Sequence, residues 1–330
     1  MSTHFAIGDL EAVIAPRLKV VEERLRDAVA QSDALAQATS RHLVDAGGKR
    51  LRPMLTLLTA QLGDGARPEV LDAAVVVELT HLGTLYHDDV MDSAPTRRGA
   101  PSAHQVWGNS VAILTGDLLF ARASRVVAGL GPEAVRIQAE TFERLCLGQL
   151  HETVGPDPGA DPIAHYLQVL ADKTGSLIGA SARLGAMFAG CERRIVDQVT
   201  EYGELAGVAF QLADDVIDLR SDAKTTGKTP GTDLREGVAT MPVLALRARV
   251  AAGADASDAA LLDRITGDLA DDAALADVVA ELATHSVVDE TAALARHWSR
   301  EARGAIAPLP DGPVKDALLS FADALVARAS

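Results

Sequence analysis

Aromatic side chains are scarce in this chain, where Phe, Trp and Tyr together make up 3% of 330 residues. No run of alternating apolar and polar residues bounded by turn signals forces a strand. Cysteine is nearly absent: Cys146 and Cys191 stand far apart and in no metal-ligand spacing. That excludes a disulfide framework and reads as two reduced thiols in a cytosolic protein. No stretch approaches the roughly eighteen apolar residues of a membrane span. The N-terminus lacks the basic start and apolar run of a signal peptide, so the protein is expected to be cytoplasmic. Positive charge is in deficit, with 31 Lys and Arg against 46 Asp and Glu and a net charge of −15 at pH 7. Such a field disfavours nucleic acid and anionic membrane surfaces as general partners. A small anionic ligand stays possible where local bases or bound cations outweigh the net field.

What is present is helix. Ala, Leu, Glu and Arg dominate, and apolar residues recur three and four apart, as in Leu10, Val13, Ile14, Leu18, Val21 and Leu25. The punctuation agrees with this. Ser32 is placed to cap a helix that ends at Gly47–Gly48, Pro53 falls in a first helical turn, and Pro132 follows Gly131 in the same manner. The longer breaks lie near 93–101, 155–162 and 221–233 and are rich in Gly, Pro and Asp. The reading is all-α, with ten or more helices in one domain spanning 1–330. Its motif-bearing core covers about 40–245, and packing helices cover about 251–330.

One acidic pattern occurs twice. Asp88, Asp89 and Asp92 lie in HDDVMD, and Asp214, Asp215 and Asp218 lie in ADDVID. Each D-D-x-x-D follows a long apolar helical stretch. On a helix, positions i and i+4 share a face, so Asp88 pairs with Asp92 and Asp214 with Asp218. Acids so placed are costly unless a charge compensates them. Oxygen ligands at this spacing suit Mg²⁺, which takes one or two carboxylates and completes its shell with water and phosphate. Two facing clusters therefore suit two or three Mg²⁺ around one diphosphate.

Basic groups accompany the acids. Arg97 and Arg98 follow the first cluster in TRRGAP, Lys228 follows the second in GKTPGTD, and Lys49, Arg50 and Arg52 lie in GGKRLRP. Guanidinium grips phosphate oxygens in pairs, lysine adds a point charge, and Gly47–Gly48 lets the backbone approach a ligand. His81 precedes Asp88 by seven residues, two turns back on nearly the same face. Lys173, Thr174 and Gln211 are polar positions inside apolar helical stretches and suit the lining of a cleft.

In this order GGKRLRP, HDDVMD, TRRG, GDLLFARA, KT, FQLADDVID and GKTPGTD resemble the trans-isoprenyl diphosphate synthases, over about residues 40 to 245. The resemblance implies a helical bundle around a central cleft, usually a homodimer. It implies that Asp88, Asp89, Asp92, Asp214, Asp215 and Asp218 bind Mg²⁺. Arg97, Lys173 and Lys228 would contact the allylic diphosphate. Lys49, Arg52, His81 and Arg98 would hold isopentenyl diphosphate, and Thr174 and Gln211 would sit beside the developing carbocation. Catalysis would then rest on Asp88, Asp89, Asp92, Lys173, Thr174, Gln211 and Asp214. One departure stands out: the family often has E-G-K-x-T-x-P, whereas this chain reads EGVATMP with Val238 at the lysine position.

Short-chain members of that family often carry bulky residues about a turn before the first Asp cluster. Here Gly83 and Thr84 are small, so no aromatic plug is expected there. The product expected is hexaprenyl to decaprenyl, of the kind used for quinone side chains, with at most transient peripheral membrane contact at its release. A short-chain synthase, a terpene cyclase and a non-catalytic partner subunit are the alternatives. The second D-D-x-x-D and GGKRLRP speak against a cyclase, and the retention of both clusters speaks against a partner subunit.

Overall fold

A computed structural model describes residues 10–220, 230–253 and 255–327. Among them are fifteen α-helices of five residues or more. These are α1 (Glu11–Ala28), α2 (Ala34–Asp45), α3 (Leu51–Thr59), α4 (Pro68–Met91), α5 (Ala103–Trp107), α6 (Asn109–Ala128), α7 (Pro132–Val154) and α8 (Pro162–Leu170). Then follow α9 (Ser176–Phe188), α10 (Arg193–Arg220), α11 (Met241–Ala251), α12 (Ala256–Ile265), α13 (Asp272–Ala283), α14 (Ser286–Ala305) and α15 (Pro313–Val326). No helix among the described residues is long and apolar enough to cross a membrane.

Local chemistry sets the boundaries. Proline opens α4, α7 and α8, where its missing N–H costs nothing. Asp161 caps α8 by accepting from Ile163 N. The cap of α2 is Asp33, which accepts from Ala36 N, and not Ser32 one position earlier. The same helix stops at Asp45, ahead of Gly47. Among the described residues, extended strands occur as one ribbon of two-residue strands, β1 (Thr96–Arg97) and β2 (Ala100–Pro101), inside the loop near 93–101. They pair antiparallel, Thr96 opposite Pro101 and Arg97 opposite Ala100.

Two long helices organise the rest. α4 is buried along most of its length on more than one face, as in the run Ala73–Leu79, because α1, α3, α6 and α9 surround it. Each fully buried Val or Leu of that run stabilises the fold by about 1.5–3 kcal/mol. α10 packs on α9 and α14. Glycines let α9 and α10 cross closely: a Cβ on Gly207 would lie 2.6 Å from Gly175 Cα, and one on Gly203 would lie 2.8 Å from Gly179 Cα. α3 joins the same layer, with Thr56 and Thr59 hydroxyls donating to Ser181 O and Ala182 O at 3.0 Å each. One apolar cluster unites α1–α4, α9, the first half of α10 and α15. A second joins the latter half of α10 to α11–α14. The C-terminal end of α4 and the central turns of α10 are thereby held on two sides of one cleft.

Candidate active site

The cleft holds a cavity of about 1030 Å³, walled by the start of α3, the C-terminal half of α4, the ribbon, α6, α7, the segment between α8 and α9, and α10. Lys49, Arg52, His81, Thr84, Asp88, Arg97, Arg98, Lys173, Thr174, Gln211 and Asp214 all line it. Residues far apart in sequence thus meet as the motifs required. Lys228 lies outside the described residues.

Its basic side is built by strained backbone. Arg50, Arg98 and Gly99 all have positive φ, at 48°, 55° and 80°. Arg98 and Gly99 form the two-residue turn of the ribbon, where a pair of positive φ values matches the strand twist. That turn sends Arg97 and Arg98 to different partners. Arg97 Nε donates to Asp89 Oδ1 at 2.6 Å. Arg98 Nη1 donates to the carbonyls of Leu43, at 3.1 Å, and Gly47. Gly48 has a φ of 145°, which favours glycine, and a Cβ there would lie 2.7 Å from the Arg98 guanidinium carbon.

Arg52 keeps a donor without a partner. Its Nε is buried without a hydrogen-bond partner, and burial pulls its pKa down to about 10, Glu78 opposing that shift. Burial first, and then the charges of Arg52, Arg98, Arg97 and Arg50, drive the His81 pKa far below the usual range. His81 is therefore a neutral imidazole that can donate to a phosphate oxygen from one ring nitrogen.

The acids divide. Asp88 faces the cavity; burial pushes it to about 6, the nearby Lys173 charge working against that. Asp92 sits at the exposed C-terminal cap of α4, its N–H donating to Asp88 O at 2.8 Å. Asp214 lines the facing wall, and Asp218 follows one turn later, partly exposed. Asp89 and Asp215 turn elsewhere. Asp89 is fully buried against Arg97, and Asp215 is buried where Tyr166 Oη donates at 2.8 Å and Met241 N at 3.2 Å. Burial lifts the Asp215 pKa well above the carboxylate range. The middle acid of each motif thus sits apart from the leading one. Helix geometry explains it, since i+1 lies 100° around from i. Among the described residues no three Asp, Glu, His or Cys side chains converge on one point. A cation here would take one or two carboxylates and complete its shell with diphosphate and water, the habit of Mg²⁺.

Lys173 and Thr174 sit in a π-helical turn, Ala171–Gly175, between α8 and α9. Such single turns insert one residue and re-aim side chains. Asp172 pins the turn, accepting from Arg144 Nε and Gln168 Nε2 at 2.8 Å each. Lys173 Nζ donates to Glu152 Oε2 at 2.5 Å, and Thr174 Oγ1 to Gln211 Oε1 at 3.3 Å. Glu152, Arg144, Phe120 and Glu78 were not singled out from the sequence. Glu78 carried a signal, as a lone charge inside an apolar helix.

The apolar portion of the cavity departs from expectation. Gly83 does not face an open passage, since a Cβ there would lie 3.0 Å from Phe120 Cζ. Phe120, from α6, pairs with Phe142 of α7 at a ring-centroid distance of 4.3 Å, and both line the cavity beside Thr84. The helix of the first Asp cluster supplies no plug, but its neighbours place two aromatic rings there. Val238 is exposed and lines a separate hollow of about 550 Å³ with Arg235 and Arg247, rather than the main cavity.

Fold and cavity define a class: an all-α protein with one deep cleft, charged in one part and apolar in another. A model of the polyprenyl synthetase family matches residues 33–282. The chain is 45% identical over 328 residues to a nonaprenyl diphosphate synthase of Mycobacterium tuberculosis, covering 98% of this chain and 96% of that one. A polyprenyl synthase of Caulobacter crescentus, solved with calcium and isoprenyl diphosphate, superposes with a TM-score of 0.90 at 31% identity over all of both chains. A geranylgeranyl pyrophosphate synthase of Corynebacterium glutamicum, also solved with calcium and isoprenyl diphosphate, gives 0.86 at 41% identity over 99% of each. The chain belongs to the polyprenyl synthetase family.

Proposed function

We propose that the protein is a Mg²⁺-dependent trans-prenyltransferase that condenses isopentenyl diphosphate with an allylic diphosphate, farnesyl or geranylgeranyl, and repeats the step to a medium or long all-trans chain for a quinone side chain. One observation carries this reading: a single cavity joins the leading acids of both D-D-x-x-D motifs to the bases of GGKRLRP and TRRG, next to an apolar chamber. Family membership and relatives solved with isoprenyl diphosphate support it.

The donor set fits two or three divalent ions. Asp88 and Asp214 offer oxygens toward the cleft, with Asp92 at the end of α4 and Asp218 one turn beyond Asp214, while Asp89 and Asp215 hold Arg97 and the Tyr166–Met241 corner in place. Bound there, Mg²⁺ would neutralise charge gathering on the leaving diphosphate. Arg97, Lys173 and Lys228 take the allylic diphosphate in this reading, and Lys173 exchanges Glu152 for a phosphate oxygen. Lys49, Arg52, neutral His81 and Arg98 take isopentenyl diphosphate, holding its alkene near the allylic carbon so that bond formation is effectively unimolecular. Thr174 Oγ1 and Gln211 Oε1 present oxygen dipoles toward the cationic carbon. Phe120, Phe142 and Leu145 exclude water from it. The released diphosphate accepts the final proton.

Product length has two supports that pull apart. The relative named a nonaprenyl diphosphate synthase supports a long product. Phe120 against Gly83, and the relative named a geranylgeranyl pyrophosphate synthase, favour a shorter one. Purified protein with Mg²⁺, labelled isopentenyl diphosphate and farnesyl diphosphate decides between them by chromatography of the products. Products beyond geranylgeranyl establish the first reading, geranylgeranyl alone the second, and no extension with any allylic primer rejects both. A homodimer working in the cytoplasm is part of the proposal; Leu114, Leu147, Leu150 and Val154 leave apolar surface exposed on the adjacent α6 and α7.

A further inference from the structure

A carboxylate is out of place in a pocket meant for diphosphate, yet Glu78 lines the cavity beside Arg50, Arg52 and Arg98 with 1% of its surface exposed. Two contacts and one effect of charge explain its presence. Arg50 Nη1 donates to Glu78 Oε1 at 2.6 Å. Arg98 Nη2 lies 3.9 Å from the same oxygen. The charge of Glu78 opposes the drop in proton affinity that burial imposes on Arg52 and Arg98.

Arg50 shows how the arrangement works. Its remaining donors go to Glu22 of α1, through Nε and through Nη2 at 3.2 Å, and to Val44 O at 2.9 Å. With Nε, Nη1 and Nη2 all engaged, Arg50 is a tie between α1, the end of α2 and α4. It sits in GGKRLRP but is committed to the protein. Arg52, two residues on, keeps an unpartnered buried Nε. Crowded guanidinium groups repel, and without a nearby anion they would splay toward solvent before any ligand arrived.

We propose that Glu78 is a positioning residue for the non-allylic diphosphate, the buried counter-charge that holds Arg50 and Arg98 in place and lets Arg52 wait charged and unpaired. This rests on the function proposed above. Glu78 acts through the arginines, so its loss falls on one substrate. Glu78→Gln keeps the shape and removes the charge, and Glu78→Asp keeps the charge and shortens its reach.

Initial-rate kinetics with each substrate varied in turn, alongside thermal melts, provide the test. In Glu78→Gln, KM for isopentenyl diphosphate is expected to rise about tenfold or more, the scale of one charge-assisted contact. KM for the allylic diphosphate should move by less than about threefold, with Glu78→Asp intermediate. A merely structural role predicts a lower melting temperature with both KM values moving together, and that result overturns the proposal. Unchanged kinetics in folded Glu78→Gln overturn it too. If Glu78→Gln does not fold, Glu78→Asp decides on the same split. A wild-type protein that extends no allylic primer rejects the proposed function instead, which separates the two failures.

Discussion

Asp88 holds its proton more tightly than a free carboxylic acid, because burial removes water from the charged form and Lys173 only partly compensates. Its folded pKa of about 6 stands above the unfolded value, so protons favour the folded state. Stability from this group is present below about pH 4 and is lost as pH rises through about 6, at most about 3 kcal/mol in all. A divalent cation reverses the preference by needing the carboxylate. We expect saturating Mg²⁺ to raise the melting temperature more at about pH 7 than at about pH 5, and Asp88→Asn to erase the difference. Equal stabilisation at both pH values would remove Asp88 from the cation site. Asp88→Asn is also expected to cut condensation by about 100-fold or more in the product assay. At this scale the sequence was legible where chemistry repeats: the leading acid of each Asp motif, the RR pair and KT all line the cavity. The partners were not legible. Nothing in HDDVMD announces that Asp89 is spent on Arg97, because a motif carries spacing but not the direction of the neighbouring loop.

Helices set the shape of the apolar chamber, and α6 and α7 supply its two aromatic rings. Phe120→Ala opens space beside Thr84, and longer products are expected by chromatography at a stability cost of about 3–5 kcal/mol if the void stays empty. Thr84→Phe fills the same space and should shorten them. Gly83→Phe is a poorer probe, since even its Cβ would press on Phe120. Unchanged products in both Phe120→Ala and Thr84→Phe would place the floor elsewhere. At the α9–α10 crossing, Gly207→Val has no room against Gly175; we expect a loss of about 1–3 kcal/mol in urea unfolding. Helix type was readable throughout from apolar spacing. The ribbon was not, because two paired residues per strand leave no periodicity. The aromatic rings beside Thr84 were hidden too, since they come from α6 and α7 and not from the helix that carries the Asp cluster.

For the whole molecule, net charge and exposed apolar surface act in opposite directions. At −15, two copies repel over a distance that salt shortens. The apolar residues on α6 and α7 favour burial against a partner, Leu114 being 65% and Val154 74% exposed. Sedimentation equilibrium is expected to show a dimer, with Leu114→Arg shifting it toward monomer. A wild-type monomer across the measurable range would leave that surface for another use. The charge was readable from the sequence, but the exposed apolar surface was not, because an exposed leucine and a core leucine look alike there.

The five residues Ala171–Gly175 work as a phase shifter. A regular helix fixes the azimuth of every later side chain by counting, so α8 would dictate which face α9 shows to α10. One extra residue in the π turn advances the count by about 100° and breaks that dictation. Lys173 and Thr174 occupy the interval where neither helix's bookkeeping applies. Deleting a single residue there would restore the regular count, with α9 keeping nearly its azimuth and Lys173 and Thr174 losing the aim that the wider turn gives them.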